Sequence, residues 1–173
     1  MTNYKELLSK VNTFIFDYDG VLSDGSIITL DDGETYRTTN VKDGYAIQLA
    51  RKKGYRIAVI SGARADCMMH RLKALNITDV FLGIENKVEI FRTYLMTNSL
   101  NKENVLFMGD DIPDYEVMLA SGVPTCPADA AEEIKSISSY ISHFPGGKGC
   151  VRDVIEQVLK VQGKWMNDDA YHW

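Results

Sequence analysis

The sequence predicts a doubly wound α/β domain, in which helices cover both faces of a mainly parallel β-sheet. Short apolar runs of strand length alternate along the chain with longer stretches of helical periodicity. Strict alternation of strand and helix is the pattern of parallel βαβ units. The chain has 173 residues, of which 45% are apolar, which is enough for one well-packed core and short for two. We therefore expect a single domain over residues 1–173.

The elements are predicted from apolar periodicity and from stop signals such as Gly54, which closes the first helix. The predicted strands are Thr13–Phe16, Arg56–Ile60, Val80–Leu82, Val105–Met108, Val123–Cys126 and Tyr140–Ser142. The predicted helices are Asp43–Lys53, Arg64–Leu75, Lys87–Thr97, Pro113–Ala120, Ala130–Ser136 and Val151–Val161. The segment at about 26–39 alternates apolar and polar residues around an Asp-Asp-Gly turn, which indicates a projecting β-hairpin.

Composition excludes several classes of function. A net charge of -5 argues against a protein that neutralises a phosphate backbone, so nucleic acid is not an expected partner. The first residues lack the pattern of a signal peptide, and no apolar stretch approaches the length of a membrane span. We expect no membrane partner and a cytoplasmic location. The cysteines have neither CxxC spacing nor nearby histidines, which favours reduced structural thiols over a zinc site; they are Cys67, Cys126 and Cys150.

Polar residues follow several predicted strands at the point where each strand ends, which is where ligands bind in open parallel sheets. These residues are Asp17 and Asp19 after the first strand, Ser61 and Gly62 after the second, Lys87 at the start of the helix after the third, and Asp110 and Asp111 after the fourth. Carboxylates that crowd together repel one another unless a cation lies among them, and hard oxygen ligands favour Mg²⁺. A metal ion, an ammonium and a hydroxyl around a spare carboxylate suit phosphoryl transfer.

These residues occur in motifs that resemble a known family. "FDYDGVLSDG", "VISGARAD", Lys87 and "MGDDIPD", in this order, are similar to the four signature motifs of the haloacid dehalogenase (HAD) superfamily, from about Phe14 to Trp165. Four motifs at successive strand ends are specific, whereas a lone DxD pair is not. The resemblance implies a Rossmann-like core. It also implies that no cap domain is present, because only the hairpin fits between the first motif and the first predicted helix.

The resemblance implies a catalytic role for four side chains. Asp17 would be the nucleophile that forms an aspartyl-phosphate, and Asp19 would protonate the leaving group and then activate water. Ser61 would donate a hydrogen bond to the phosphoryl group, and Lys87 would offset its charge. A purely structural alternative exists for Asp17, Asp19 and Ser61, because such residues often cap the next turn or helix.

The resemblance also implies the Mg²⁺ ligands. They would be the Asp17 carboxylate, the backbone carbonyl of Asp19 and the Asp110 carboxylate, with Asp111 orienting a bound water. Asp114 is not among these expected ligands, since the dipole of the helix that starts near it is sufficient to explain an acid there.

Within the superfamily, "NVKDGYAI" and the glycine-rich C-terminal tail from about 145 are similar to phosphatases that act on 3-deoxy-D-manno-octulosonate 8-phosphate. This similarity implies a small phosphorylated sugar-acid substrate. Gly62 and Arg64 would bind it, with Arg64 on its carboxylate. Lys148 and Arg152, in or just after the glycine-rich segment, are further candidates for substrate binding. A site without a cap needs another cover, so we expect a homotetramer in which a neighbouring subunit completes the site.

Two alternatives stay open at this point. A sister phosphatase acts on the nine-carbon 2-keto-3-deoxynonulosonate 9-phosphate, but its relatives tend to carry a glutamate before the second motif and a lysine after it, where this chain has Cys67. A non-catalytic receiver-like or regulatory domain also combines acids, Mg²⁺, a hydroxyl and a lysine. In a receiver, however, an aspartate follows a later strand, whereas here Ser61 follows Ile60.

Overall fold

The computed structural model describes residues 3–171, without the side chains of Asp168 and Asp169, so the ends of the predicted domain at 1–2 and 172–173 lie outside the described residues. The strands are β1 (Thr13–Phe16), β2 (Ile28–Thr29), β3 (Thr35–Tyr36), β4 (Arg56–Ser61), β5 (Asp79–Leu82), β6 (Val105–Met108), β7 (Val123–Cys126) and β8 (Tyr140–Ile141). The α-helices are α1 (Tyr4–Leu8), α2 (Val41–Lys52), α3 (Asp66–Ala74), α4 (Lys87–Thr97), α5 (Tyr115–Ala120), α6 (Glu132–Ile137) and α7 (Cys150–Val161).

Six strands form one sheet in the order β5-β4-β1-β6-β7-β8, and every neighbouring pair in it is parallel. The chain runs outward from β1 through β4 to β5, then crosses back to β6 and runs outward to β8. The switch in direction lies between β1 and β6, which places a ligand site beyond their carboxyl ends. The predicted doubly wound fold is therefore confirmed.

Two apolar layers cover the sheet, because successive side chains of a strand point to opposite faces. Phe14 and Phe16 pack in the layer formed with α2 and α7, whereas Ile15 packs in the layer formed with α4, α5 and α6. Helix α7 contributes several fully buried side chains to the first layer, among them Val154, Ile155, Val158 and Leu159. This burial anchors the C-terminal part of the described chain against the sheet.

The predicted hairpin is present, with two-residue strands that pair Ile28 with Tyr36 and Thr29 with Thr35. Its apolar side chains are unusually open to solvent. Ile28 is 54% exposed, and Leu30 and Tyr36 are each 43% exposed. No inserted cap domain is present among residues 3–171, and the hairpin stands over the start of α3.

The glycine-rich segment from about 145 packs on the chain's own loop after β1. The Gly147 N–H donates to the Val21 carbonyl at 2.9 Å. A Cβ on Gly146 would lie 1.9 Å from the Gly20 carbonyl oxygen, so only glycine permits this backbone contact. We call this segment the strap. It leads directly into α7, and the burial of that helix holds the strap in place.

Some boundaries differ from the prediction. Helix α1 was not predicted, since five residues carry too little periodicity to be recognised. The predicted helix Pro113–Ala120 starts as a 3₁₀ turn over Ile112–Asp114, consistent with proline at a helix start. In the described part of the chain, no helix is both long and apolar enough to cross a bilayer.

Candidate active site

The loop that follows β1 turns sharply to place two acids beyond the sheet. The Asp17 N–H donates to the Met108 carbonyl at 3.0 Å, which ties the loop to β6. Gly20 has φ +81°, a conformation that side chains other than glycine rarely adopt. A Cβ at this position would lie 2.0 Å from Asp110 Oδ2. Gly20 therefore allows Asp110 to approach the loop that carries Asp17.

Three carboxylates converge at the ends of β1 and β6. Oxygen atoms of Asp17, Asp110 and Asp114 lie within 4.8 Å of one another. Lys87, at the start of α4, places Nζ 2.9 Å from Asp17 Oδ2 and 2.7 Å from Asp114 Oδ1. Asp114 also accepts the Asp110 backbone N–H at 3.1 Å. Because one ammonium serves three acids, the cluster keeps an excess of negative charge.

This excess shifts the ionisation of the cluster. Burial, followed by repulsion from Asp17 and Asp111, raises the pKa of Asp110 to about 7. Burial and Asp17 also raise the pKa of Asp114, while Lys87 acts in the opposite direction. Burial would lower the pKa of Lys87, but the carboxylates of Asp17 and Asp114 outweigh it and raise that pKa. Among residues 3–171, no cationic group lies within hydrogen-bond distance of the Asp110 carboxylate, unlike those of Asp17 and Asp114.

The cluster fits a hard divalent cation. All three converging groups are carboxylates, the ligands that Mg²⁺ prefers, and Gly20 leaves Asp110 room beside Asp17. Asp111 does not join them. Its side chain accepts the Ile112 N–H at 2.8 Å and caps the 3₁₀ turn, whereas Asp114, which was not among the expected ligands, lies in the converging group.

The Asp19 carboxylate lies apart from the cluster and is held by the hairpin. Arg37 Nε lies 3.1 Å from Asp19 Oδ1, and Nη2 lies 3.2 Å from Oδ2. The Ser23 hydroxyl donates to Oδ1 at 3.0 Å. Sequence reasoning missed Arg37, because 18 residues separate it from Asp19 and no local pattern joins them.

The second motif lies at the end of β4, beside the first. Ser61 is buried, and its Oγ accepts the Ala63 N–H at 3.3 Å. Gly62 is exposed just beyond the strand. Arg64 is exposed and lines a pocket of about 310 Å³ between the hairpin and the start of α3. This pocket places Arg64 beside the hairpin, where a carboxylate could reach it.

The two candidates near the C-terminus are engaged elsewhere. Lys148 Nζ lies 2.9 Å from Asp24 Oδ2, near the loop after β1. Arg152 contacts Glu156 at 2.9 Å, and its guanidinium stacks over the rings of Tyr45 and Trp165. The structure thus brings Lys148 close to the loop, but it does not bring Arg152 to the acidic cluster.

Comparison with known proteins agrees with this geometry. No family model matches the chain. The 3-deoxy-D-manno-octulosonate 8-phosphate phosphatase of Salmonella typhi is 36% identical over 154 residues, which cover 89% of this chain and 82% of that protein. The same-named phosphatase of Moraxella catarrhalis, solved with magnesium ion, phosphate ion and KDO, matches with a TM-score of 0.92 and 28% identity over 95% of each chain. A Legionella pneumophila protein assigned to the HAD superfamily hydrolases, subfamily III A, matches with a TM-score of 0.94 and 27% identity over 99% of this chain and 93% of that one.

The fold and the strand-end acids thus define a member of the haloacid dehalogenase superfamily, as the four sequence motifs predicted. Within it, the chain belongs to the 3-deoxy-D-manno-octulosonate 8-phosphate phosphatase family, since the identity to the Salmonella protein extends over most of both chains.

The excess negative charge predicts two effects of Asp110→Asn: the variant should lose Mg²⁺ binding, and its metal-free form should be more stable than the metal-free wild type. The pKa of Asp110 is about 7 in the folded protein against 3.8 ordinarily, so the folded state binds this proton more tightly than the unfolded state. The stability of the metal-free protein should therefore fall as the pH rises from about 4 to about 7. At pH 8, Asp110→Asn should raise the melting temperature of the metal-free protein by about 2–4 °C, the shift that ~1 kcal/mol gives a domain of this size.

Calorimetry with and without Mg²⁺ checks this prediction. Mg²⁺ should raise the melting temperature of the wild type but not that of Asp110→Asn, and the apparent Mg²⁺ affinity of the wild type should increase from pH 6 to pH 8. Asp111→Asn is the comparison variant: asparagine still accepts the Ile112 N–H, and although loss of this charge relieves some of the repulsion on Asp110, Mg²⁺ should still stabilise the variant because all three converging carboxylates remain. A loss of Mg²⁺ stabilisation in Asp111→Asn, with none in Asp110→Asn, would contradict the assignment.

Proposed function

We propose that this chain is a Mg²⁺-dependent phosphatase that hydrolyses 3-deoxy-D-manno-octulosonate 8-phosphate to KDO and inorganic phosphate, a reaction of lipopolysaccharide precursor synthesis. The observation that carries the proposal is the buried Asp17 carboxylate at the end of β1, held 2.9 Å from Lys87 in a chain of this family. A turnover screen of the purified protein with Mg²⁺ tests it, using the eight- and nine-carbon keto acid phosphates and simple sugar phosphates. Preference for the nine-carbon substrate would favour the sister activity.

Asp17 is the nucleophile of the first step. One of its oxygens accepts the Tyr18 N–H at 2.6 Å and the other contacts Lys87, so the carboxylate is fixed before substrate arrives. Attack forms a bond between Asp17 oxygen and phosphorus and breaks the ester bond from phosphorus to the sugar oxygen. The leaving oxygen takes its proton from Asp19. Lys87 and Ser61 stabilise the charge on the phosphoryl oxygens.

Water completes the second step. The Asp19 carboxylate takes a proton from water, and the water oxygen bonds to phosphorus as the bond to Asp17 breaks. Inorganic phosphate leaves, and Asp17 returns as a carboxylate. Asp17, Asp110, Asp114 and the backbone carbonyl of Asp19 would hold Mg²⁺, which supplies further charge stabilisation to the phosphoryl group when bound.

Substrate recognition and assembly complete the proposal. Arg64 binds the carboxylate of the sugar acid, with Gly62 beside it, and Lys148 contributes from the strap. The exposed apolar side chains of the hairpin, including Ile28, Leu30 and Tyr36, support a homotetramer in which a neighbour covers the site. A cytoplasmic location fits the three free cysteines. Nucleic acid and membranes are not among the proposed partners.

Asp17→Asn should lower the turnover number by at least about 10³-fold, because the amide keeps the shape of the carboxylate but cannot attack phosphorus. Phosphate release from 3-deoxy-D-manno-octulosonate 8-phosphate measures the loss, and the melting temperature shows that the fold remains. Substantial residual turnover would exclude Asp17 as the nucleophile.

Arg64→Ala should lower kcat/KM for the keto acid phosphate by about 10- to 1000-fold, the cost of losing a charge-assisted hydrogen bond. Hydrolysis of p-nitrophenyl phosphate should stay within about three-fold of the wild type, since this ester has no carboxylate to bind. Lys87→Ala is the comparison variant and should impair both substrates alike. Equal losses on the two substrates for Arg64→Ala would assign this arginine to phosphate binding or to support of the Ser61 loop.

Deletion of the hairpin tip, Asp31–Glu34, should clearly lower the turnover number, whereas the melting temperature should change little. The tip contributes nothing to the core clusters, whereas a neighbouring site would lose its cover. Light scattering of the wild type should show an oligomer, with a tetramer as the expected state. A fully active monomer would contradict the proposed assembly.

A further inference from the structure

The hydrogen bonds around Asp19 use up most of its acceptor capacity. Oδ1 accepts from Arg37 Nε at 3.1 Å and from the Ser23 hydroxyl at 3.0 Å. Oδ2 accepts from Arg37 Nη2 at 3.2 Å, with Nε further away at 3.4 Å. Each carboxylate oxygen has two lone pairs. Each oxygen therefore has two donors, and the longest of the four contacts is the one from Arg37 Nε to Oδ2, which water can replace most readily because Nε also donates to Oδ1.

Arg37 is itself held firmly at the base of the hairpin. Its side chain is only 5% exposed, and Nη1 donates to the Thr35 hydroxyl at 2.7 Å. The Cys67 thiol contacts the Thr35 carbonyl at 3.3 Å, which joins this end of the hairpin to α3. A guanidinium fixed in this way presents its fork to Asp19 in one orientation.

Orientation matters at Asp19 because its backbone belongs to an irregular turn. Asp19 has extended dihedral angles (φ -74°, ψ 129°) inside a turn whose next residue, Gly20, has positive φ. The side chain is 25% exposed, and it accepts hydrogen bonds from Arg37 and Ser23. Without Arg37, Asp19 would keep one contact and could adopt several rotamers. A proton acceptor must lie within hydrogen-bond reach of the attacking water, so such freedom slows the reaction.

We infer that Arg37 is a positioning residue that acts through Asp19, and that it serves the hydrolysis of the aspartyl-phosphate more than its formation. The inference rests on the proposed phosphatase reaction. In the arrangement described, the fork of Arg37 fixes the orientation of the carboxylate that takes the proton of water in the second step. The base of the hairpin thus acts within its own chain, even where the tip covers a neighbour.

The test separates the two steps with p-nitrophenyl phosphate, whose leaving group departs without a proton donor. Arg37→Met keeps the length of the side chain but removes its donors. With excess ester, Arg37→Met should release a burst of p-nitrophenolate and accumulate aspartyl-phosphate, because hydrolysis of the intermediate slows by about 10- to 100-fold. Rapid-quench measurements with labelled phosphate quantify the phosphorylated enzyme. Arg37→Lys, which restores the charge with a different geometry, should recover part of the hydrolysis rate.

Two comparisons keep the test specific. Asp19→Asn with Arg37→Met should be no slower in hydrolysis than Asp19→Asn alone, because Arg37 acts through Asp19. Arg56→Met is the matched control, since it removes an arginine paired with Asp79 at 3.2 Å at the start of β4, away from the carboxyl ends of the strands. Arg56→Met should show wild-type kinetics in both steps.

The outcomes are distinct. Formation and hydrolysis slowed equally by Arg37→Met, or a raised KM without accumulation of phosphorylated enzyme, would overturn the inference while the proposed function stands. Additive losses in the double variant would overturn it as well. A wild type that hydrolyses no phosphate ester and forms no phosphorylated enzyme would overturn the proposed function and this inference together.

Discussion

The structure depends on a concentration of negative charge at the carboxyl ends of β1 and β6. Asp17, Asp110 and Asp114 share the single ammonium of Lys87 there, so the cluster remains acidic in the absence of a ligand. Partly buried, unbalanced charge opposes folding. Burial of the two apolar layers on the sheet offsets this free-energy cost. A bound cation would remove it by neutralising the excess charge. The expected affinity for Mg²⁺ and the expected loss of stability without it therefore have one physical origin.

Close backbone approach keeps the loop after β1 in place despite that repulsion. Gly20 lies against Asp110 on one side and against Gly146 of the strap on the other. A side chain at either glycine would push the loop away from the cluster. Arg37 acts on the same loop from the hairpin, where it neutralises Asp19. The position of the two acids is thus set by three separate parts of the chain.

Local signals predicted much of this arrangement. Strands β1 and β6 and helix α4 have the predicted bounds, because each combines a clear apolar pattern with a clear stop. The strand-end rule predicts from the sequence that Asp17 and Asp110 lie together, as they do in the structure. The sequence analysis expected Asp111 and not Asp114 at the metal site, because it could not show that Asp111 caps the 3₁₀ turn while Asp114 turns inward to Lys87. Contacts between distant segments, such as Arg37 with Asp19 and the strap with its loop, leave no periodic trace in the sequence.

The strap also sets the order in which the protein becomes competent during synthesis. The loop after β1 is made early, yet its partner Gly147 and the anchoring helix α7 come more than a hundred residues later. At a translation rate of about 5–20 residues per second, roughly 7–28 s separate the two segments on the ribosome. The nascent chain can form βαβ units during this interval, but the loop after β1 does not yet have its contact with the strap. The contact between the strap and this loop therefore forms only after every strand of the sheet has been synthesised.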